Sequence, residues 1–279
     1  MKHAAVLTAK VMAMIHRLPG IATLDWCDRA AKAACMLHEG SAAAVVLCCL
    51  DRDGFLVRLE AVGAAGVGVD LGRVRTSFRQ GEWAGWKGPM PEAGRSIVGL
   101  ASTMGLLERR GEGPVARRWE HFSPGDVLLG AGAVPGETGR TLLIELALPG
   151  PAGRNVEREQ IVLGASMPLL IEKLVNAVGA EPADERRWLT AREEVVLWQL
   201  VAGKKVPQIA EELGRSIYTV HDHVKSLHRK LGATSRGQLV ARALGHLGPL
   251  NGSADSAESS SSAGARMVLG TARRLGQPS

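Results

Sequence analysis

Aromatic residues are scarce in this 279-residue chain: they make up 4%, with one tyrosine, three phenylalanines and six tryptophans. Cysteine is scarcer still. Cys27, Cys35, Cys48 and Cys49 have neither the density of a disulfide scaffold nor a paired metal-ligand spacing. Reduced thiols and a cytoplasmic setting are therefore expected. No apolar run reaches the ~20 residues that cross a bilayer, and the strongest, Ala42 to Leu50, is strand-sized. No membrane partner is expected. Lys10, His16 and Arg17 interrupt the apolar spacing near the N-terminus, against a secretory signal. A Gly-x-Ser-x-Gly elbow and a Gly-x-x-x-x-Gly-Lys phosphate loop are both missing, and His38-Glu39 and His121 stand alone. Neither an enzyme nor a resident cofactor or metal is expected.

What is present is material for a core and a basic balance. Hydrophobic residues make up 46% and charged residues 22%, over a length that suits about two domains. The formal net charge of +6 favours an anionic partner such as nucleic acid.

Apolar spacing predicts a helix from about His3 to Arg17, stopped by Leu18-Pro19-Gly20, and a second from about Leu24 to His38, closed by Gly40. The pattern then becomes strand-like. Ala43 to Leu50, the turn Asp51-Arg52-Asp53-Gly54 and Phe55 to Val62 form a hairpin. Between Gly63 and Gly125 the Gly, Pro and Arg content gives few placements. Asp126 to Val134 and Arg140 to Leu148 predict a second strand pair. Asn155 is a cap for a long helix to about Val178, with Ile161, Leu163, Met167, Leu170, Ile171, Leu174 and Val175 on its apolar side.

This order is α+β and resembles GAF/PAS-like sensor domains, an architectural likeness over about residues 1–178. Residues 179–187 read as a polar linker. Residues 248–279, with Ser259-Ser260-Ser261-Ser262, cannot bury enough apolar surface to fold and read as a disordered tail.

Residues 188–247 read as four short helices. Thr190 caps the first, with Glu193 as its capping-box partner, and Val196, Leu197, Leu200 and Val201 form its core face. Pro207 opens the second, which buries Ile209 and Leu213. Ser216 caps the third, which buries Val220, Val224, Leu227 and Leu231. The fourth opens at Ser235 and buries Leu239, Val240, Ala243 and Leu244. Ala210 is small where two helices cross, Gly214 suits a tight turn, and Val220 packs back beneath it. That spacing is the steric signature of a helix-turn-helix.

Leu189-Thr190-Ala191-Arg192-Glu193, Val196-Leu197, Ala202-Gly203, Ile209-Ala210, Leu213, Ser216, Thr219-Val220, His223-Val224, Lys230-Leu231-Gly232 and Ser235-Arg236 resemble the LuxR-type (GerE-like) DNA-binding domain. The chain departs from that family at Val195, where an acidic residue is usual, at Val206-Pro207-Gln208, and at His221, where lysine is common. The resemblance implies a homodimeric transcriptional regulator that reads double-stranded DNA, with Ile217–Lys230 in the major groove. It also makes His221, Asp222 and Lys225 the base-reading candidates. Lys donates to guanine and a carboxylate accepts from cytosine; alternatively, Asp222 is a solvent-facing residue that limits non-specific binding. Lys204, Lys205, Thr219, His223, Arg229 and Lys230 are the phosphate candidates, with packing against the second helix as the other reading of His223. Residues 188–247 hold nine Lys and Arg against five Asp and Glu, a local excess suited to phosphates.

The N-terminal part then becomes a regulatory domain for an unidentified small-molecule signal. Trp83, Trp86 and Trp119 are core residues or pocket walls, and Cys48-Cys49 is an inert pair or a redox switch. The alternative is a sigma-factor-like protein acting with RNA polymerase. That alternative calls for a helical polymerase-binding region upstream, where this chain has strands.

Overall fold

A computed structural model describes residues 2–80, 91–92, 95–101, 113–122, 124–150, 156–179 and 188–244. Apolar residues fill Ala42–Leu50 without a polar break, and this run forms strand β1, buried on both faces. Arg140–Leu148 forms β5, which is likewise buried throughout. Both lie inside one antiparallel sheet of order β2-β1-β5-β4-β3, with β2 at Leu56–Ala65, β3 at Ser96–Leu100 and β4 at Asp126–Ala133. Central strands covered on both faces read as continuous apolar runs, whereas an edge strand such as β2 carries exposed positions.

Helices cover the two faces. Against one lie α1 (Lys2–His16), α2 (Trp26–Ala34, running into a 3-10 turn at Cys35–Leu37) and the long α5 (Glu157–Val178). Against the other lie α3 (Leu71–Arg79) and α4 (Pro114–Trp119). The sheet accepts these helices closely because of two missing side chains. A Cβ on Gly63 would stand 2.1 Å from the Asp28 backbone nitrogen in α2, and one on Gly132 would stand 2.3 Å from Ile171 Cδ1 in α5. Glycine in a strand marks such an approach.

The expected helices and hairpins are present with shifted ends. The first hairpin's return strand begins at Leu56, leaving Phe55 half-exposed in the turn. The long helix starts at Glu157 with Val156 in the cap position, and Asn155 lies outside the described residues. Ile161 belongs to its solvent side, 60% exposed, because the inward stripe is Val162, Leu163, Ser166, Met167, Leu170, Ile171 and Leu174. By length and composition this helix would suffice to cross a membrane, contrary to the sequence expectation. Here its inward stripe forms part of the sheet core. In the segment that the sequence left open, α3, β3 and α4 form. Asp70 caps α3 by accepting from the Arg73 backbone, while β3 exists through its pairing with β4.

Among the described residues, two ion pairs lie buried inside this N-terminal α/β domain. Glu145 of β5 accepts from Arg118 Nη1 and Trp119 Nε1, each at 2.7 Å, and Arg118 also donates to Ser77 and stacks over Phe78. Trp119 is thus a core residue, while Trp83 and Trp86 lie outside the described residues. On the other side Arg140 binds Glu60 and donates to the Gly179 carbonyl at the end of α5. Burial pushes the thiols up, that of Cys35 to about 11 and those of Cys27 and Cys48 further, which makes them poor nucleophiles.

The C-terminal region is helical: α6 (Ala191–Val201), α7 (Val206–Glu212), α8 (Ile217–Leu231) and α9 (Arg236–Ala243). Val196, Leu197, Leu200, Ile209, Ala210, Val220, Leu227, Leu239 and Ala243 form its core. Val201, Leu213, Val224 and Leu231 pack at its margin. Leu244 is half-exposed rather than buried, because α9 ends at Ala243.

The joint between the two regions exchanges core residues. Trp188 packs into the N-terminal core, and Ile21, from the loop before α2, packs into the C-terminal one. Between them Leu189 donates to Ala22 and Leu24 donates to Leu189, a parallel bridge of Thr23 with Leu189.

Candidate nucleic-acid interface

Caps set each helix of the C-terminal region. Thr190 and Glu193 form a reciprocal capping box at α6: Thr190 Oγ1 accepts from the Glu193 backbone, and Glu193 Oε2 accepts from the Thr190 backbone at 2.8 Å. Lys205 occupies the cap position of α7, where Gln208 accepts from its backbone. Ser216 caps α8 by accepting from the Thr219 backbone at 3.0 Å. Between α7 and α8 the chain reverses through Gly214, whose φ of +58° lies in the left-handed region that glycine enters at little cost.

Once Val220 and Leu227 are fixed inward, helical periodicity leaves Tyr218, His221, Asp222, Lys225 and Arg229 on the exposed side of α8. The three base-reading candidates are thus on one solvent-facing surface. Thr219 is exposed at the N-terminal end of the helix, and His223 is half-buried at its margin. These two join Arg192 and Arg215 at the border of a groove of about 370 Å³, floored by Val195, Val196, Leu213 and Val220. Neither arginine was among the expected site residues. Arg215 was legible in principle, since it directly precedes the Ser216 cap of the third helix.

The remaining cations divide. Lys205 is exposed at the start of α7, while Lys204 reaches Glu212 at 2.5 Å and has part of its charge compensated. Arg229 donates to Ser226 at 3.4 Å and stays exposed. Lys230 turns inward, contrary to its expected phosphate role. Its ammonium donates to Glu193 at 2.7 Å and to the Trp188 carbonyl at 2.9 Å. Burial alone would raise the Glu193 carboxyl. Lys230, Ser226 and the Thr190 donors outweigh that and hold it at about 2. Glu193 therefore stays ionised and ties α6 to α8. Arg236 adds a similar brace, donating to the Leu200 and Lys204 carbonyls.

A cationic, solvent-facing second helix in a capped helix-turn-helix is the geometry that enters a major groove. Residues 187–243 match the family described as bacterial regulatory proteins, luxR family (GerE). The C-terminal region is a LuxR-type helix-turn-helix domain. Over 114 residues the chain is 32% identical to the probable transcriptional regulatory protein NarL of Mycobacterium tuberculosis, covering 41% of this chain and 49% of that protein. Over 58 residues it is 43% identical to the transcriptional regulatory protein MctR of Rhizobium johnstonii, covering 21% of this chain and 27% of that one. The chain thus spans about half the length of NarL and about a quarter of MctR. Among solved structures, Escherichia coli SdiA overlaps 76% of this chain and 85% of its own at 13% identity, with a TM-score of 0.31. SdiA in complex with octanoyl-rac-glycerol gives 0.35, at 13% identity and over 87% and 93% of the two chains. Likeness at that level carries nothing about the N-terminal domain.

Proposed function

We propose that this chain is a sequence-specific DNA-binding transcriptional regulator, acting as a homodimer under control of its N-terminal domain. The observation that carries this reading is the exposed face of α8, where His221, Asp222 and Lys225 lie together in a LuxR-type domain. These three are the base readers. Phosphate contacts fall to Lys205, Thr219, His223 and Arg229, joined by Arg192 and Arg215, with Lys204 contributing once it leaves Glu212. Lys230 is a scaffold residue in this reading.

The division into residues 1–178, a linker at 179–187, a reading head at 188–247 and a tail at 248–279 belongs to the same proposal, as does a cytoplasmic setting beside the DNA. An antiparallel five-stranded sheet layered by helices on both faces supports a GAF/PAS-like regulatory domain. Its small-molecule signal and any contact with RNA polymerase are further parts of this reading.

Selection from random duplex DNA with the full chain tests it. An inverted repeat with half-sites about one helical turn apart is the expected product; no enrichment under any condition would overturn the proposal. On the selected site Lys225→Ala is expected to cost about 1–3 kcal/mol and relax one base position. Arg229→Ala should weaken all sequences alike and flatten the salt dependence. A uniform loss with Lys225→Ala would remove it from the readers.

A further inference from the structure

Two adjacent carboxylates in the first turn of α6 face different partners. Glu193 holds the recognition helix α8 through Ser226 and Lys230. Glu194 faces the N-terminal domain, where Arg29 of α2 donates to it from both terminal nitrogens, Nη1 and Nη2, at 2.9 and 2.5 Å. Arg29 is oriented by a third bond, from its Nε to Asp25 at 2.8 Å. An exposed ion pair stabilises little, but Glu194 is only 12% exposed and the contact is bidentate, the geometry that fixes direction as well as distance. The Thr23–Leu189 bridge lies alongside, and Trp188, seated in the N-terminal core, offers its carbonyl to Lys230 of α8. A continuous set of bonds therefore runs from α2 through the start of α6 to the recognition helix. The contacts use one end of α6 and the C-terminal part of α8, so they leave His221, Asp222 and Lys225 open.

We infer that Arg29 is a positioning residue for DNA reading: its clamp on Glu194, with the Thr23–Leu189 bridge, sets the angle at which the N-terminal domain presents α8. The inference rests on the regulatory reading above. In a dimer, the angle of each head decides whether both half-sites are engaged together, so loss of the clamp lowers binding to the paired site and spares the single one. Arg29 touches no DNA. Its effect passes through Glu194, and the N-terminal domain gains a route to control binding without covering the reading face.

Charge reversal tests this in the full chain. Arg29→Glu confronts Asp25 and Glu194 with a third carboxylate, and Glu194→Arg confronts Arg29 with a second guanidinium. The combined swap restores opposite charges. The amides of Leu24 and Leu189 both donate across the joint, so their hydrogen exchange reports it without DNA. Each single reversal is expected to speed their exchange about tenfold or more, with both cores unchanged, and the swap to recover most of the protection. The same variants should lose about tenfold in affinity for the selected inverted repeat, hold their affinity for a single half-site, and recover in the swap. Unchanged exchange in the single reversals would overturn the clamp. Faster exchange with an unmoved preference for the paired site would overturn its role in positioning. Wild-type protein that enriches no DNA would instead sink the regulatory reading, and the positioning role with it, and the exchange data would separate that failure from failure of the clamp.

Discussion

The two regions of this molecule treat charge in opposite ways. The N-terminal domain buries whole ion pairs within its layers, Arg118 with Glu145 on one face of the sheet and Arg140 with Glu60 on the other. Among the described residues of the C-terminal region, Glu193 is the one charged side chain that is buried, and it ties α6 to α8. Of the lysines and arginines of α8, Lys225 and Arg229 point outward and Lys230 does not. Inside a domain, a buried pair joins elements that share no strand pairing, as Glu145 joins β5 to α4. On a reading head, an outward charge stays free to meet phosphate. The same residue types thus serve internal connection in one region and, in the proposed function, external contact in the other.

Breaking a buried pair has the largest expected effect. Glu145→Ala removes the carboxylate that pairs with the buried Arg118 guanidinium and accepts from Trp119, at a cost of about 3–5 kcal/mol in urea unfolding. The paired replacement Arg118→Met with Glu145→Leu is expected to regain most of that. A single variant costing under about 1 kcal/mol would mean that water reaches the pair.

A smaller loss is expected at the reading head, where caps rather than buried charges set the helices. Thr190→Ala removes the acceptor for the Glu193 backbone and a donor to its carboxylate. The expected cost is about 0.5–2 kcal/mol in thermal or urea unfolding, and no measurable loss would show that Glu193 is held without the box.

A further effect is read through pH and concerns Glu193 itself. Its carboxyl is held at about 2 against an ordinary 4.5, so its contribution is complete above pH 4.5 and fades as the pH falls toward 2. Wild-type protein should lose stability across that window, and Glu193→Gln should be less stable at pH 7 but lose less on acidification. Identical acid profiles for the two proteins would show that other carboxylates carry the dependence.

The reading head was the more legible region. Its elements depend on neighbours one turn away: Val220 and Leu227 inward, Ser216 and Thr190 as caps, Gly214 at the reversal. Such spacing is written in the chain, and it placed His221, Asp222 and Lys225 on one exposed face. The segment between Gly63 and Gly125 was opaque because β3 is five residues long and gains its place by pairing with β4, about thirty residues later. The inward turn of Lys230 is hidden from the sequence for a related reason. A lysine near the end of a recognition helix looks outward until Trp188 and Glu193 are seen beside it.

By itself, then, the sequence determined the four capped helices, the two apolar hairpins and the long helix, because each follows from periodicity and local hydrogen bonding. Only the tertiary structure decided the order of the sheet, the buried pairing of Arg118 with Glu145, and the union of Arg29 with Glu194 across 165 residues. Those depend on which surfaces meet once the chain has collapsed. A charge with no local partner gives no sign of where its counter-ion will come from.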